Sequence, residues 1–254
     1  MLREGYRIYL ETRKKNDFAF NHYLMRPMAG VVVAFLARTP ATPNQITILN
    51  LILFLVACAM FIALPTWAGG MWAVLVLEVS YLLDCADGML ARHKKLASKE
   101  GHLFDFFTDE AKATALAAAV GVRLYLTGGH GPRLEAPFYG PWEPAWFLIA
   151  AVAATLIVAS AISLTNFVRR PEISGREQTV EAYYETASQE SRGGIKRIAA
   201  LVFGLLRVLN HYPTHIYLFA LANRLDAFFF LYAGLNLLYL ARGWLGILVR
   251  FARR

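Results

Sequence analysis

Four aspartates, Asp84, Asp87, Asp105 and Asp109, lie in a stretch of sequence that is otherwise hydrophobic enough to span a bilayer. The stretch reads DCADGMLARHKKLASKEGHLFDFFTD. Ionisable side chains are costly inside a membrane, and where they occur they usually mark functional sites. We therefore expect these four carboxylates to form a functional site within a membrane protein.

The spacing of the aspartates predicts that they share helix faces. Asp84 and Asp87 are three residues apart, and Gly88 and Ala91 follow on the same face at positions i+4 and i+7. Gly101, Asp105 and Asp109 step by four, which sets the last two carboxylates roughly 6 Å apart along a second helix axis. The polar link from residue 93 to residue 100 is short, so the two helices are predicted to be antiparallel neighbours.

Four carboxylates in one pocket repel one another unless a cation lies between them. Oxygen ligands without His or Cys favour a hard ion such as Mg²⁺ or Mn²⁺, and magnesium sites commonly include substrate phosphates. Gly88, Ala91 and Gly101 have little or no side chain, so a nucleotide or a backbone can approach closely. Arg92 can hold a phosphate oxygen. The local pattern indicates a metal-bound diphosphate.

The full motif resembles the signature of the CDP-alcohol phosphotransferases, also called CDP-alcohol phosphatidyltransferases. Eight residue identities match at fixed spacing, and they are Asp84, Asp87, Gly88, Ala91, Arg92, Gly101, Asp105 and Asp109. The preceding phrase TPNQIT also resembles a segment found in many members.

The resemblance implies a reaction and a set of residue roles. The enzyme would transfer a substituted phosphate group from a CDP-alcohol to an acceptor alcohol and release CMP, in phospholipid biosynthesis. Asp84, Asp87 and Asp105 would hold two Mg²⁺ or Mn²⁺ ions, and Asp109 would complete the metal site and act as general base. The nucleotide would contact six motif residues, Asp84, Asp87, Gly88, Ala91, Arg92 and Gly101. Asn44 and Thr47 would add further contacts, although capping of the next helix also explains Asn44. Homodimerisation is implied by the resemblance alone.

Composition places the chain among membrane proteins. It has 254 residues, 57% hydrophobic and only 17% charged, which is more apolar than ordinary soluble domains. We expect a single membrane domain over residues 1–254. Cys58 and Cys85 both fall in predicted spans, so neither a disulfide framework nor a thiolate metal site is indicated.

The predicted fold is an all-α integral membrane bundle of six transmembrane helices, preceded by an N-terminal amphipathic helix in the interface. Residues 1–43 form the interfacial segment and residues 44–254 the six-helix bundle. The charged N-terminus lacks the apolar core of a cleavable signal peptide. The six spans are predicted at about 46–64, 71–92, 101–126, 145–168, 195–222 and 227–249.

The distribution of positive charge predicts the orientation. Most of the 26 Lys and Arg residues precede the first span, follow the last, or lie in the loops after spans two and four, whereas Arg133 and Arg224 lie in the opposite loops. This is the positive-inside pattern. It places both termini and the motif on the cytoplasmic side of a plasma or inner membrane, and it attributes the net charge of +8 to membrane topology rather than to nucleic-acid binding.

Four cations are candidates for binding a phosphorylated or anionic acceptor: Lys112, Arg169, Arg170 and Arg207. Glu110 weakens that interpretation, because many family members that act on phosphorylated acceptors have a basic residue after the last aspartate. The donor is either CDP-diacylglycerol or a CDP-linked polar head group. Two alternatives to the whole interpretation are an aspartate-rich membrane prenyltransferase and a cation transporter, although neither requires the Gly, Ala and Arg of the motif.

Overall fold

The computed structural model describes residues 1–13, 17–129, 143–170 and 204–252, and the regular structure in these ranges is helical without strands. The α-helices whose two ends both fall in these ranges are, in chain order, α1 (Leu2–Thr12), α2 (Arg26–Leu36), α3 (Pro43–Ala63), α4 (Trp67–His93), α5 (Lys99–Thr127), α6 (Pro144–Arg169), α7 (Ile216–Leu221) and α8 (Leu225–Phe251). A π-helical turn, Asn21–Met25, precedes α2, a 3-10 turn, Tyr212–Thr214, precedes α7, and residues 204–210 are helical.

Three of these helices are long and apolar enough to cross a membrane: Pro43–Ala63, Pro144–Arg169 and Leu225–Val249. Their outer faces carry large exposed apolar side chains such as Ile52, Leu156 and Leu245, as expected of a surface that faces lipid. Helices α4 and α5 have 27 and 29 residues and carry the charged motif. The structure therefore agrees with an all-helical membrane protein, while the six predicted spans stay a prediction.

Side-chain caps fix where the long helices begin. Thr42 caps α3 by accepting a hydrogen bond from the Gln45 backbone N–H, and the Gln45 side chain accepts one from the Thr42 N–H. This reciprocal capping box satisfies two backbone donors at the helix start. The suggestion that Asn44 caps this helix is therefore wrong, because Asn44 already lies in its first turn. Thr66 and Ser98 cap α4 and α5 by one hydrogen bond each, accepted from the backbone N–H of Gly69 and of Gly101.

The core joins the six C-terminal helices, and α3 packs against both motif helices. Phe54 of α3, Leu77 of α4 and Leu116 of α5 are almost fully buried in one apolar cluster, which also includes Phe228 of α8. The backbones of α4 and α5 hardly approach each other. The two helices were expected to be direct neighbours because their link is short. They instead meet through side chains, such as Lys112 of α5 and Asp84 of α4, because α3 packs against both helices.

Helices α1 and α2 pack against each other and against α4. Ala29 and Val33 of α2 are fully buried, in a second apolar cluster that contains Ala86, Met89 and Leu90 of α4. Lys94, which follows α4, donates hydrogen bonds to the carbonyls of Thr39 and Ala41. The N-terminal segment therefore covers the end of α4 that carries the motif.

The helix predicted at 195–222 is broken. Residues 195–203 lie outside the described ranges, residues 204–210 are helical, and the chain then leaves the helix at His211 before α7 begins at Ile216. Pro213 has no backbone N–H and its ring clashes with the preceding turn of a helix. The ring nitrogens of His211 lie 2.8 Å from the Tyr81 hydroxyl and 2.5 Å from Thr214 Oγ1, so side chains supply polar contacts at the break.

Candidate active site

Three of the four motif aspartates meet where α4 and α5 approach. One carboxylate oxygen from each of Asp84, Asp105 and Asp109 lies within 4.8 Å of the others. Asp84 comes from the last third of α4, and the other two come from successive turns near the start of α5. Convergent oxygen donors of this kind are suited to a hard divalent cation. The convergence predicted from the spacing is therefore present for these three residues.

Helix α3 holds the two aspartates of α4. The Thr47 hydroxyl donates to Asp87 Oδ2 at 2.7 Å, and Asn50 Nδ2 donates to Asp84 Oδ1 at 2.8 Å. Ser80 in turn donates to Asn50 Oδ1 at 2.6 Å. Asn50 and Ser80 are fully buried and Asp87 is 3% exposed. Fixed donors of this kind orient carboxylates that bind metal.

Asn50 and Ser80 were not predicted as site residues. Their signal is present in the sequence, because Asn44, Thr47 and Asn50 are spaced by three and lie along one side of α3. A polar amide in the interior of an otherwise apolar span is also uncommon. The partner, however, lies on another helix, and sequence spacing does not identify it.

Lys112 lies inside the aspartate cluster. Its Nζ is 2.5 Å from Asp84 Oδ1 and 2.6 Å from Asp109 Oδ1, and its side chain is only 2% exposed. The Asp109 side chain, by contrast, is 50% exposed. Lys112 therefore bridges one carboxylate of α4 and one of α5.

Beside the cluster lies a small cavity of about 150 Å³. Its lining includes all the candidate nucleotide-binding residues except Asp84, and these are Asn44, Thr47, Asp87, Gly88, Ala91, Arg92 and Gly101. Asp105 also lines the cavity. A Cβ at Gly101 would lie 3.3 Å from Asn44 Oδ1 and 3.1 Å from Ser98 Oγ, which is tight. Among the described residues, a Cβ at Gly88 would meet only Arg92, with Nη1 at 3.6 Å. The protein itself therefore leaves room for a side chain at residue 88.

The described contacts of the remaining candidate cations involve other groups. The Arg169 guanidinium lies over the Phe106 ring at 5.1 Å from its centroid, and that of Arg207 lies over the Phe18 ring at 5.1 Å. Arg170 lines a groove of about 800 Å³ between α5 and α6, where Asn166 also donates a hydrogen bond to Glu110 at 2.5 Å. Lys112 alone of the four contacts the motif carboxylates directly among the described contacts, and an acceptor role for these residues stays a prediction.

A polar network supports α4 one turn before Asp84. The Tyr81 hydroxyl donates to Asn21 Oδ1 at 2.7 Å, Asn21 donates to Asp17, and Asp17 pairs with Arg26 at 2.8 Å. Burial alone raises the pKa of Asp17, but the Arg26 guanidinium and hydrogen bonds from Asn21 and the Phe18 backbone outweigh it and hold that pKa below its ordinary value. This network connects the N-terminal segment to the turn of α4 that precedes Asp84.

The fold and the site together define a class, a helical membrane protein in which carboxylates converge beside a small pocket with an arginine. A family model for CDP-alcohol phosphatidyltransferase matches residues 40–248. The match covers most of the chain, so the chain belongs to the CDP-alcohol phosphatidyltransferase family, as the motif indicated. The family consists of membrane-bound transferases of phosphate-containing groups that use a CDP-alcohol donor and an alcohol acceptor. No curated protein matches the chain.

Proposed function

We propose that this protein transfers a substituted phosphate group from a CDP-alcohol to an acceptor alcohol with release of CMP, in a divalent-metal-dependent reaction of phospholipid biosynthesis. The observation that carries the proposal is the convergence of the Asp84, Asp105 and Asp109 carboxylates within 4.8 Å. The adjoining cavity, lined by Gly88, Ala91 and Arg92, supports it further.

The carboxylates fit the metal that this chemistry requires. All the candidate ligands are oxygens from the four motif aspartates, the donor type preferred by Mg²⁺ and Mn²⁺. When bound, two such ions supply positive charge that stabilises the diphosphate and the departing CMP. Thr47 and Asn50 hold Asp87 and Asp84 in fixed orientations for this purpose.

Side chains of the motif and of α3 have the remaining roles in proton transfer and donor binding. Asp109 is the general base, and its half-exposed carboxylate is accessible to an acceptor hydroxyl. Arg92 binds a phosphate oxygen of the donor, and Gly88, Ala91 and Gly101 allow the nucleotide to lie close to the helix backbones. Asn44 and Thr47 border the same cavity and complete the nucleotide contacts.

One of the two alcohols is a lipid in this proposal. The groove between α5 and α6 is much larger than the nucleotide cavity and is lined largely by Ala, Thr, Phe and Ile side chains, which suits an acyl chain. Arg170 lines this groove and contributes to binding of an anionic acceptor or head group. Arg169, Arg207 and Lys112 are the other candidate contacts for that group.

The proposed topology has six spans, an interfacial N-terminal segment and a cytoplasmic active site. Helices α4 and α5 carry the motif, and Lys and Arg are concentrated in the segments expected on the cytoplasmic side. A homodimer in the plasma or inner membrane completes the proposal.

The test measures CMP release by the purified protein in detergent with Mg²⁺ or Mn²⁺. CDP-diacylglycerol and CDP-choline are offered separately against a panel of acceptor alcohols. We expect metal-dependent CMP release with one pair, which identifies both alcohols.

Two variants connect the activity with the site. Asp109→Asn should abolish turnover and leave CDP binding largely intact, whereas Asp84→Asn or Asp105→Asn should weaken metal-dependent CDP binding itself. Near-normal turnover by Asp109→Asn would remove it as the base. Absence of metal-dependent CDP binding in folded wild-type protein would refute the proposed function.

A further inference from the structure

Lys112 is the one described cation whose ammonium contacts two motif aspartates. Its Nζ lies 2.5 Å from Asp84 Oδ1 and 2.6 Å from Asp109 Oδ1, and the side chain is almost completely buried. The side chain therefore reaches the carboxylates from within the helix bundle and not from solvent.

Burial makes this contact electrostatically important. Carboxylates that converge repel one another, and their attraction to a buried ammonium is less screened than attraction between two groups at a surface. The ammonium lies between α4 and α5 and offsets this repulsion. It keeps Asp84 and Asp109 close together before any other cation arrives.

The same contact occupies coordination space. Asp84 Oδ1 already accepts hydrogen bonds from both Asn50 and Lys112. A divalent ion coordinates carboxylate oxygens at a little over 2 Å, so an ion bound to the same oxygens would be within a few ångströms of the ammonium. Two positive charges at that separation repel strongly when both are buried.

We propose that Lys112 is a built-in counter-ion that competes with a divalent cation for Asp84 and Asp109. This inference rests on the proposed function and concerns the regulation of metal binding at that site. Lys112 stabilises the cluster while the site awaits substrate, and it weakens binding of an ion at this edge in the absence of nucleotide. Its flexible four-carbon stem allows the ammonium to withdraw when the ion and the donor diphosphate bind together.

The test measures Mn²⁺ binding without nucleotide, by electron paramagnetic resonance of free Mn²⁺ with purified protein in detergent. Lys112→Met removes the charge and keeps a stem of similar length. In Lys112→Met we expect the half-saturation concentration of the most weakly bound Mn²⁺ to fall at least about tenfold. Even with a high effective protein dielectric, the repulsion between the ammonium and an ion a few ångströms away is large. Lys112→Arg, which keeps the charge, should not show this gain.

Thermal unfolding of the same proteins gives a second readout. Without metal, Lys112→Met should unfold at a lower temperature than wild type, because its carboxylates lack their counter-ion. Saturating Mn²⁺ should raise its Tm by more than that of wild type, since tighter binding stabilises the folded state further. A variant that folds only when prepared with Mn²⁺ would support the proposal in the same way.

Controls separate the possible failures. Lys94→Met removes an ammonium that binds backbone carbonyls, and it should leave Mn²⁺ binding unchanged. Adding Asp84→Asn to Lys112→Met should cancel the gain in affinity. Unchanged or weaker Mn²⁺ binding by Lys112→Met, with normal binding by wild type, would overturn the role of Lys112 alone. Absence of Mn²⁺ binding by every variant would overturn the proposed metal site as well.

Discussion

Replacement of Gly88 by alanine should weaken nucleotide binding without destabilising the fold. Gly88 follows Asp87 in α4 and precedes the motif residues Ala91 and Arg92. It borders the cavity beside the aspartates. A Cβ at this position would have Arg92 Nη1 at 3.6 Å as its nearest neighbour, which is an ordinary van der Waals contact. The folded protein therefore accepts Gly88→Ala without strain.

The expected effects on the free energy of unfolding and on CDP affinity differ in sign. Alanine is preferred to glycine inside a helix by up to about 1 kcal/mol, so Gly88→Ala should leave the free energy of unfolding unchanged or raise it. A methyl group forced against a closely bound nucleotide costs about 1–3 kcal/mol, by analogy with overpacked cores. At 1.4 kcal/mol for each tenfold change, that cost weakens CDP binding roughly 5- to 150-fold.

The assay pairs isothermal titration with CDP in the presence of Mn²⁺ with thermal unfolding of the same preparation. Gly234→Ala is the matched control, because a Cβ at this residue of α8 meets no atom of the described part of the chain within 4 Å. It should shift Tm similarly and leave CDP affinity unchanged. An unaltered CDP affinity in Gly88→Ala, with protein that remains folded, would refute the close approach of the nucleotide to α4.

Two further predictions concern the groups that support the site. Asn50→Leu removes the amide that donates to Asp84. It should lower metal affinity by about 10- to 100-fold, as loss of an orienting partner commonly does. Titration with Mn²⁺ measures this affinity, and an effect no larger than that of Ser80→Ala would contradict the role of Asn50. Asp17→Asn breaks a buried pair with Arg26 and should destabilise the protein by up to about 3 kcal/mol at neutral pH. Because the folded-state pKa of Asp17 lies below its ordinary value, the wild-type contribution is complete above about pH 5 and is lost as the pH falls below about 4. Melting curves across this range should therefore converge at acid pH, and a constant difference in Tm would argue against the ion pair.

Local signals in the sequence predicted most helix boundaries. The apolar runs of α3, α4, α5, α6 and α8 end within a few residues of the expected positions, because length, hydropathy and turn residues are properties of a single segment. The break before α7 was not predicted, although Pro213 marks it. A proline can kink a long helix or end it, and the tertiary contacts of His211 with Tyr81 and Thr214 accompany the second outcome here.

The candidate site was predictable where its geometry depends on one helix at a time. Spacing placed Asp105 and Asp109 on one face, and the motif indicated that Asp84 would join them. Contacts between helices were not accessible in this way: Asn50 meets Asp84, and Lys112 bridges Asp84 and Asp109. Lys112 was interpreted as a possible acceptor contact because hydropathy reveals its depth but not the direction of its side chain.

The position of α3 between the two motif helices has a consequence for biosynthesis. The capping threonine, the side chains of α3 that bind Asp84 and Asp87, and Lys112 all fall in one continuous portion of the chain, from Thr42 to Lys112. A ribosome completes this portion before it makes α6, so the aspartates and the side chains that bind them are synthesised together and before the later helices. The later helices then add apolar packing against α3, α4 and α5, for example from Phe228 and Tyr232 of α8. This packing stabilises a site whose described polar contacts to the aspartates lie within the earlier portion.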